Sequence, residues 1–190
     1  MAGHSSLIFI TGGVRSGKSS FAEKLAVDMS CKTGGQLHYL ATGVPSDQEM
    51  KERIHIHKCN RLEAGYGWKT IEQPVQIGTL SNRFAETDII VLDCLTTLLN
   101  NELFSTNSDW DESVLHRVKE NILTGITKIR NQAGTLIVVS NEVSYDCVPR
   151  NDLVFSYGKL LGQIHQKLVQ EADTAYLVEA GIPRVMKGVR

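Results

Sequence analysis

One stretch near the start of this 190-residue chain limits what the rest of it can become. Leu7-Ile8-Phe9-Ile10 is a short, unbroken apolar run of strand formers, the composition of a strand buried on both faces. Gly12-x-x-x-x-Gly17-Lys18-Ser19 follows at once and fits the pattern of a phosphate-binding loop. From Ser20 to Leu25 the chain changes to good helix formers, with Phe21, Ala22, Leu25 and Ala26 along one face. A polyphosphate needs several backbone N–H groups converging on it. Glycines let the loop Gly12, Gly13, Val14, Arg15, Ser16 and Gly17 curl closely enough to present them. The helix N-terminus adds positive partial charge at the same place. Lys18 can reach the β- and γ-phosphates, and the Ser19 hydroxyl can ligate Mg²⁺. The expectation is a nucleoside-triphosphate site.

The length suits one domain, residues 1–190, large enough to bury a full core. A net charge of −1, with no basic stripe, gives no reason to expect nucleic acid or an anionic membrane as partner. Cys31, Cys59, Cys94 and Cys147 are scattered without a C-x-x-C, which argues against zinc and for reduced thiols in a cytosolic protein. No signal peptide precedes the first strand, and no apolar run reaches the length of a membrane span. The expected setting is cytoplasmic.

Along the chain, Met1 to Ser6 reads as a frayed leader and Lys32-Thr33-Gly34-Gly35 as a turn. Gln36 to Thr42 reads as a second strand. Ser46 and Glu49 make a capping box for a helix ending near Arg61. Lys69 to Glu72 is a short strand, and Val75 to Glu86 can form another helix. Asp88 to Asp93 is an apolar strand ending in an acid. Leu95 to Leu103 is helical in character. Trp110 to Asn131 is a long helix with a stripe through Val114, Leu115, Val118, Ile122, Ile126 and Ile129. Thr135 to Ser140 is a buried strand, Asp152 to Ala172 a helix, and Ala175 to Glu179 with Arg184 to Lys187 a terminal hairpin. Alternating strands and helices predict an α/β fold, a mainly parallel sheet flanked by helices, with antiparallel C-terminal edge strands.

Asp93 ends its strand where a Walker-B acid would hold Mg²⁺ together with Ser19. His55 and His57 lie two apart on a predicted helix and face different ways, so they do not share a metal. Either imidazole could accept a phosphoryl or nucleotidyl group, or be an ordinary surface histidine. Lys58 and Arg61 add positive charge beside them. Trp68 could stack on a base and Glu72 grip guanine, although a core anchor and a surface charge suit the pattern better. Asn141-Glu142 follows a strand at the edge where open α/β sheets place ligands, and could position a substrate hydroxyl or the metal's water shell or simply cap the strand.

Taken together, these stretches resemble the bifunctional adenosylcobinamide kinase / adenosylcobinamide-phosphate guanylyltransferase family of cobalamin biosynthesis. The likeness is carried by ITGGVRSGKSSFAEKLA (Ile10 to Ala26), YLAT (Tyr39 to Thr42) and DQEMKERIHIH (Asp47 to His57). WKTIEQP (Trp68 to Pro74), VLDCLTTLL (Val91 to Leu99) and VSNEV (Val139 to Val143) continue it in order. The resemblance implies a RecA-like P-loop NTPase fold, a homotrimer, and two reactions at one nucleotide site. ATP or GTP phosphorylates the aminopropanol hydroxyl of the corrinoid adenosylcobinamide. A histidine then takes GMP from GTP and passes it to the new phosphate. The family's guanylylated histidine, four residues after the Arg of R-I-x-x-H, maps to His57 and leaves His55 a bystander. Glu72 and Asp93 map to nucleotide-contacting positions. Thr42, Gly43, Lys58, Cys59, Asn60 and Arg61 lie in segments that line the site.

The chain departs from the family pattern at Ile56, where a second histidine is usual, and at Ser144 and Asp146, where glycines are usual. Gly158, Lys159 and His165 stand where Arg, Asp and Asn are usual. Two other readings compete: a kinase of another small alcohol with His57 inert, and a nucleotide-dependent switch or motor. The absence of D-x-x-G and [NT]-K-x-D motifs counts against the second.

Overall fold

The computed structural model describes residues 5–44, 48–106, 110–142 and 152–188; of Glu49, Met50, Arg53, His57, Asn60 and Asp152 it describes the backbone alone. The apolar run after Ser5 forms β1 (Ser6–Thr11), and the loop that follows ends in α1 (Lys18–Thr33). Next come β2 (Leu37–Ala41), α2 (Gln48–Glu63), β3 (Lys69–Glu72), a 3-10 helix (Ile77–Arg83) and β4 (Ile89–Asp93). The chain continues through α3 (Leu95–Phe104), α4 (Glu112–Arg130), β5 (Thr135–Val139), α5 (Asp152–Glu171), β6 (Thr174–Glu179) and β7 (Ile182–Lys187).

The strands form a sheet in the order β3-β2-β4-β5-β1-β6-β7. Every neighbouring pair is parallel except β6 with β7. This is the predicted mainly parallel sheet, with a refinement at its C-terminal end. β6 itself joins β1 in parallel, and only β7 runs the other way.

The period-2 geometry of strands sorts the apolar residues between two layers. Ile8 and Ile10 of β1, Leu37 and Tyr39 of β2, and Ile137 and Val139 of β5 face Ala22 and Ala26 of α1. Leu7, Phe9, Leu40, Leu92 and Leu136 face the opposite layer, built from α3, α4, α5 and the 3-10 helix. The expected α4 stripe is there: Val114, Val118, Ile122, Ile126 and Ile129 are buried, and Leu115 packs beside them. Asp111 caps that helix by accepting from the Val114 N–H at 2.8 Å.

Four expectations need correction or fall outside the described residues. Ser6 is not leader but the first residue of β1, its N–H bonded to Gly134 O. Lys32 and Thr33 are still helical, and the turn begins at Gly34, the left-handed C-cap at φ 71°. The Val75 to Glu86 segment winds only into a seven-residue 3-10 helix. Gln76 enters it in a left-handed conformation and Phe84 leaves it extended. Gly78 sits so close to α4 that a Cβ there would lie 3.1 Å from Gly125 Cα. Ser46 and the Glu49 side chain, the proposed capping box, lie outside the described residues. Among the described residues no helix is long and apolar enough to cross a membrane.

The α4 seam supplies much of the second layer, and Ile122 at its centre is 1% exposed. Ile122→Ala is expected to cost about 3 kcal/mol, since the site is enclosed and collapses little. Urea unfolding should show a lower midpoint with an unchanged slope.

Candidate active site

The phosphate-type loop joins β1 to α1 and is held from below by the C-terminal strands. Gly12 takes φ 154°, and a Cβ there would lie 2.2 Å from the carbonyl oxygen of Val178 in β6. No side chain fits. Gly17 is left-handed at φ 93° and caps α1 without a side-chain acceptor, so the first-turn N–H groups have no side chain from it. The turn between β6 and β7 braces the same loop: Gly181 N–H donates to Ser16 O at 2.8 Å. On the other flank Glu142 N–H donates to Gly12 O at 2.9 Å, and Thr11 Oγ1 donates to the Glu142 carboxylate at 3.3 Å. The Lys18 ammonium folds over the loop and donates to Gly13 O at 2.6 Å.

In front of the loop opens a cavity of about 870 Å³. The loop and first helical turn, Val14 through Ser20, form its floor. The ends of β2, β3 and β4 contribute Tyr39, Ala41, Glu72 and Asp93. Helix α2 forms the opposite wall with Lys51, Ile54, His55, Lys58 and Arg61. Asn141, just past β5, completes the lining together with Cys94 and Thr97. This is the edge at the carboxyl ends of the strands, where the order reverses around β1.

Sheet register explains how Asp93 is held. Tyr39 pairs with Val91, so Asp93 is its diagonal neighbour on the same face. The Tyr39 hydroxyl donates to Asp93 Oδ2 at 2.7 Å. Burial, and next the Asp93 charge, push the Tyr39 phenol well above its ordinary range, so it keeps its proton and stays a donor. The other face of Tyr39 carries the Arg61 guanidinium, 3.6 Å from the ring centroid. Arg61 Nη1 also donates to Glu23 Oε1 of α1 at 2.9 Å, while its Nε has no partner among the described residues. At the cavity mouth Lys58 is paired with Glu72.

The sequence-predicted residues divide as follows. Val14, Arg15, Ser16, Gly17, Lys18, Ser19, Gly43, Lys58, Arg61, Glu72 and Asp93 share the cavity wall. Gly12 is buried against β6, and Gly13 is exposed, its carbonyl accepting from Lys18. Thr42 is fully buried behind the wall, where its hydroxyl bridges Cys94 N–H and C=O at 2.9 and 2.8 Å. Cys59 Sγ lies 3.5 Å from His55 Nε2. His57 and Asn60 sit on α2, with side chains outside the described residues. Ser144 and Asp146 also fall outside them. Trp68 does not reach the cavity; its ring meets Tyr39 edge-on at 6.2 Å, in keeping with a core anchor.

Sequence reading missed Tyr39 and set His55 aside, yet both line the cavity. The signal for Tyr39 was its alternation with Leu40 along β2, which puts its ring on the α1 side.

Behind Asn141 lies a second polar cluster. Ser140 Oγ is 2.8 Å from His165 Nε2 and 3.1 Å from Thr96 Oγ1. Asn141 N–H donates to that Thr96 hydroxyl at 2.8 Å, and the Phe9 ring meets His165 edge-on. The departure at His165 therefore lies between the Phe9 ring and the Ser140 hydroxyl, where α5 meets the sheet. Burial lowers its pKa to about 4. Gly158 and Lys159, the neighbouring departures, are exposed on α5.

Known proteins resemble this chain over most of its length. Residues 8–186 match the family model described as cobinamide kinase / cobinamide phosphate guanyltransferase. The bifunctional adenosylcobalamin biosynthesis protein CobU of Salmonella typhimurium is 34% identical over 183 residues, 93% of this chain and 97% of that one. CobU of Escherichia coli is 31% identical over the same spans. The bifunctional protein CobP of Pseudomonas aeruginosa is 32% identical over 94% of this chain and 96% of its own. Two solved structures share the fold at low identity. The flagellar accessory protein FlaH of Methanocaldococcus jannaschii has a TM-score of 0.52 and 16% identity, over 97% of this chain and 79% of that one. A KaiC-like protein of Pyrococcus horikoshii has a TM-score of 0.51 and 12% identity, over 92% of this chain and 71% of its own.

His165 makes a pH signature measurable. Its folded pKa is depressed from 6.5 to about 4, so between those values the unfolded chain binds the extra proton. The neutral ring's contribution is complete above pH 6.5 and is lost as pH falls toward 4. His165→Asn is expected to flatten that part of the stability–pH curve by about 3 kcal/mol, read from denaturant midpoints across the window.

Proposed function

The chain belongs to the cobinamide kinase / cobinamide phosphate guanyltransferase family, and from that premise we propose how its cavity serves two reactions. The enzyme phosphorylates the aminopropanol hydroxyl of adenosylcobinamide with ATP or GTP. It then transfers GMP from GTP through a guanylyl-histidine to give adenosylcobinamide-GDP. The observation that carries this reading is the shared wall: the loop Val14 to Ser19, Asp93, Glu72 and helix α2 face one cavity. In this reading residues 1–190 act as one nucleotide-binding domain, in a cytoplasmic homotrimer.

The kinase step is positioning and charge stabilisation. The triphosphate lies in the loop, with backbone N–H groups of the first α1 turn on its oxygens. Lys18 leaves Gly13 O for the β- and γ-phosphates and offsets the charge that spreads over the transferring group. The substrate oxygen bonds to the γ-phosphorus as the bond to the bridging oxygen breaks, releasing the nucleoside diphosphate. Ser19 and Asp93 are hard oxygen donors on the same wall. Among the described residues no group of three or more His, Cys, Asp or Glu could hold a metal. So thin a donor set suits Mg²⁺, which takes one or two protein oxygens and completes its shell with phosphates and water. Bound there, Mg²⁺ would neutralise charge on the bridging phosphates.

In the transfer step a His57 ring nitrogen attacks the α-phosphorus of GTP and expels pyrophosphate. A phosphate oxygen of adenosylcobinamide phosphate then displaces the histidine. Two in-line displacements leave net retention at phosphorus. In this reading Glu72, at the end of β3 and paired with Lys58, accepts from the guanine N1–H and exocyclic amine once Lys58 releases it.

Wild-type protein given GTP and Mg²⁺ is expected to gain a GMP-sized mass, acid-labile and base-stable, on the α2 peptide. His57→Ala should lose the adduct and keep phosphorylation of the corrinoid alcohol, while His55→Ala keeps both. Lys18→Ala should slow both steps by about 10²- to 10³-fold. A wild-type protein that phosphorylates the alcohol yet never carries GMP would reduce the assignment to a kinase.

A further inference from the structure

Helix α2 differs from the other helices in what holds it. Among its described side chains only Arg61 is buried, at 5% exposure, while Ile56 and Leu62 point to solvent. An amphipathic helix is normally fixed by an apolar stripe. Among the described side chains of α2 the fixed point is Arg61, which lies between the Tyr39 ring of β2 and the Glu23 carboxylate of α1. Glu23 stands one turn beyond Ser19 in the helix that begins at the phosphate loop. The same Tyr39 holds Asp93 through its hydroxyl at 2.7 Å. A single side chain, itself 6% exposed, therefore touches the cavity's acid with its tip and the helix carrying His57 with its face.

We propose that Tyr39 is a positioning residue for both reactions: its hydroxyl orients Asp93, and its ring seats Arg61 so that α2 faces the phosphate loop. The assignment rests on the two-step reading given above. It separates the contributions by step. Orientation of Asp93 matters whenever a triphosphate reacts. The seat for Arg61 matters only where His57 must reach the α-phosphorus, because the kinase step does not use that histidine.

Tyr39→Phe keeps the ring and drops the hydroxyl; Tyr39→Leu drops both; Glu23→Gln weakens the seat and leaves the Tyr39–Asp93 bond intact. Kinase turnover and the rate of GMP attachment are measured on all three, with nucleotide KM and thermal midpoint. Tyr39→Phe should lower kcat of both steps by about tenfold with little change in KM, the loss expected for one orienting hydrogen bond. Tyr39→Leu should fall no further in the kinase step but lose about another tenfold or more in GMP attachment, as a misplaced nucleophile does. Glu23→Gln should slow GMP attachment alone.

A merely structural role would depress both steps together in proportion to the lost thermal midpoint. That result, or a Tyr39→Leu protein that takes GMP as fast as Tyr39→Phe, overturns the proposal and leaves the two-step reading standing. If wild type phosphorylates the alcohol but takes no GMP, the two-step reading fails and the proposal falls with it.

Discussion

The carbonyl oxygen of Val178 occupies the space that any side chain at position 12 would need. The missing Cβ lets the β1–α1 loop lie down against β6, at the head of the helix whose first amides face the cavity. The neighbouring bonds, Gly181 to Ser16 and Glu142 to Gly12, are backbone contacts made to a loop already at that height. The cavity floor is therefore set by the sheet and owes little to side chains. The wall facing it is built in the opposite manner, from charged and polar groups on α2, Tyr39 and Glu72.

The contrast between α4 and α2 shows two ways of placing a helix. α4 buries an unbroken apolar seam against the sheet, so its position is that of the core. α2 presents Lys51, His55 and Lys58 to the cavity and exposes Ile56 and Leu62. It is anchored by an arginine between a ring and a carboxylate. An arginine stacked on a phenol and paired with an acid is directional, where an apolar stripe is not. The cavity can thus join a floor set by backbone contacts to a wall whose position depends on a few oriented contacts.

What could be read from the sequence followed how local the cause was. The phosphate loop, the β4 acid and the α4 stripe are legible because spacing along the chain sets them. The 3-10 helix at Ile77–Arg83 was read as an ordinary helix because its constraint is the backbone of Gly125, far away in sequence. Tyr39 and Glu23 were missed for a related reason. Nothing along the chain joins Tyr39 to Asp93; the pairing of β2 with β4 does. Arg61 was expected only as positive charge in a segment lining the nucleotide site, and its burial against Tyr39 depends on three separate elements meeting. His165 was seen as a departure from the family pattern, but the slot it fills is shaped by Phe9 and Ser140.

The insertion of β6 beside β1 bears on how the molecule is made. Leu7 N–H reaches the Asp173 carboxylate across 166 residues of chain, and the β6–β7 turn closes on the loop at Ser16. While a ribosome is still making the middle of this protein, β1 and the glycine loop have emerged, but the strand that seats them has not. Loop closure over so long a span is slow and leaves a central strand edge open in the meantime. Binding competence for nucleotide arrives late in biosynthesis, so a truncated product keeps the whole glycine motif in its sequence and lacks the cradle.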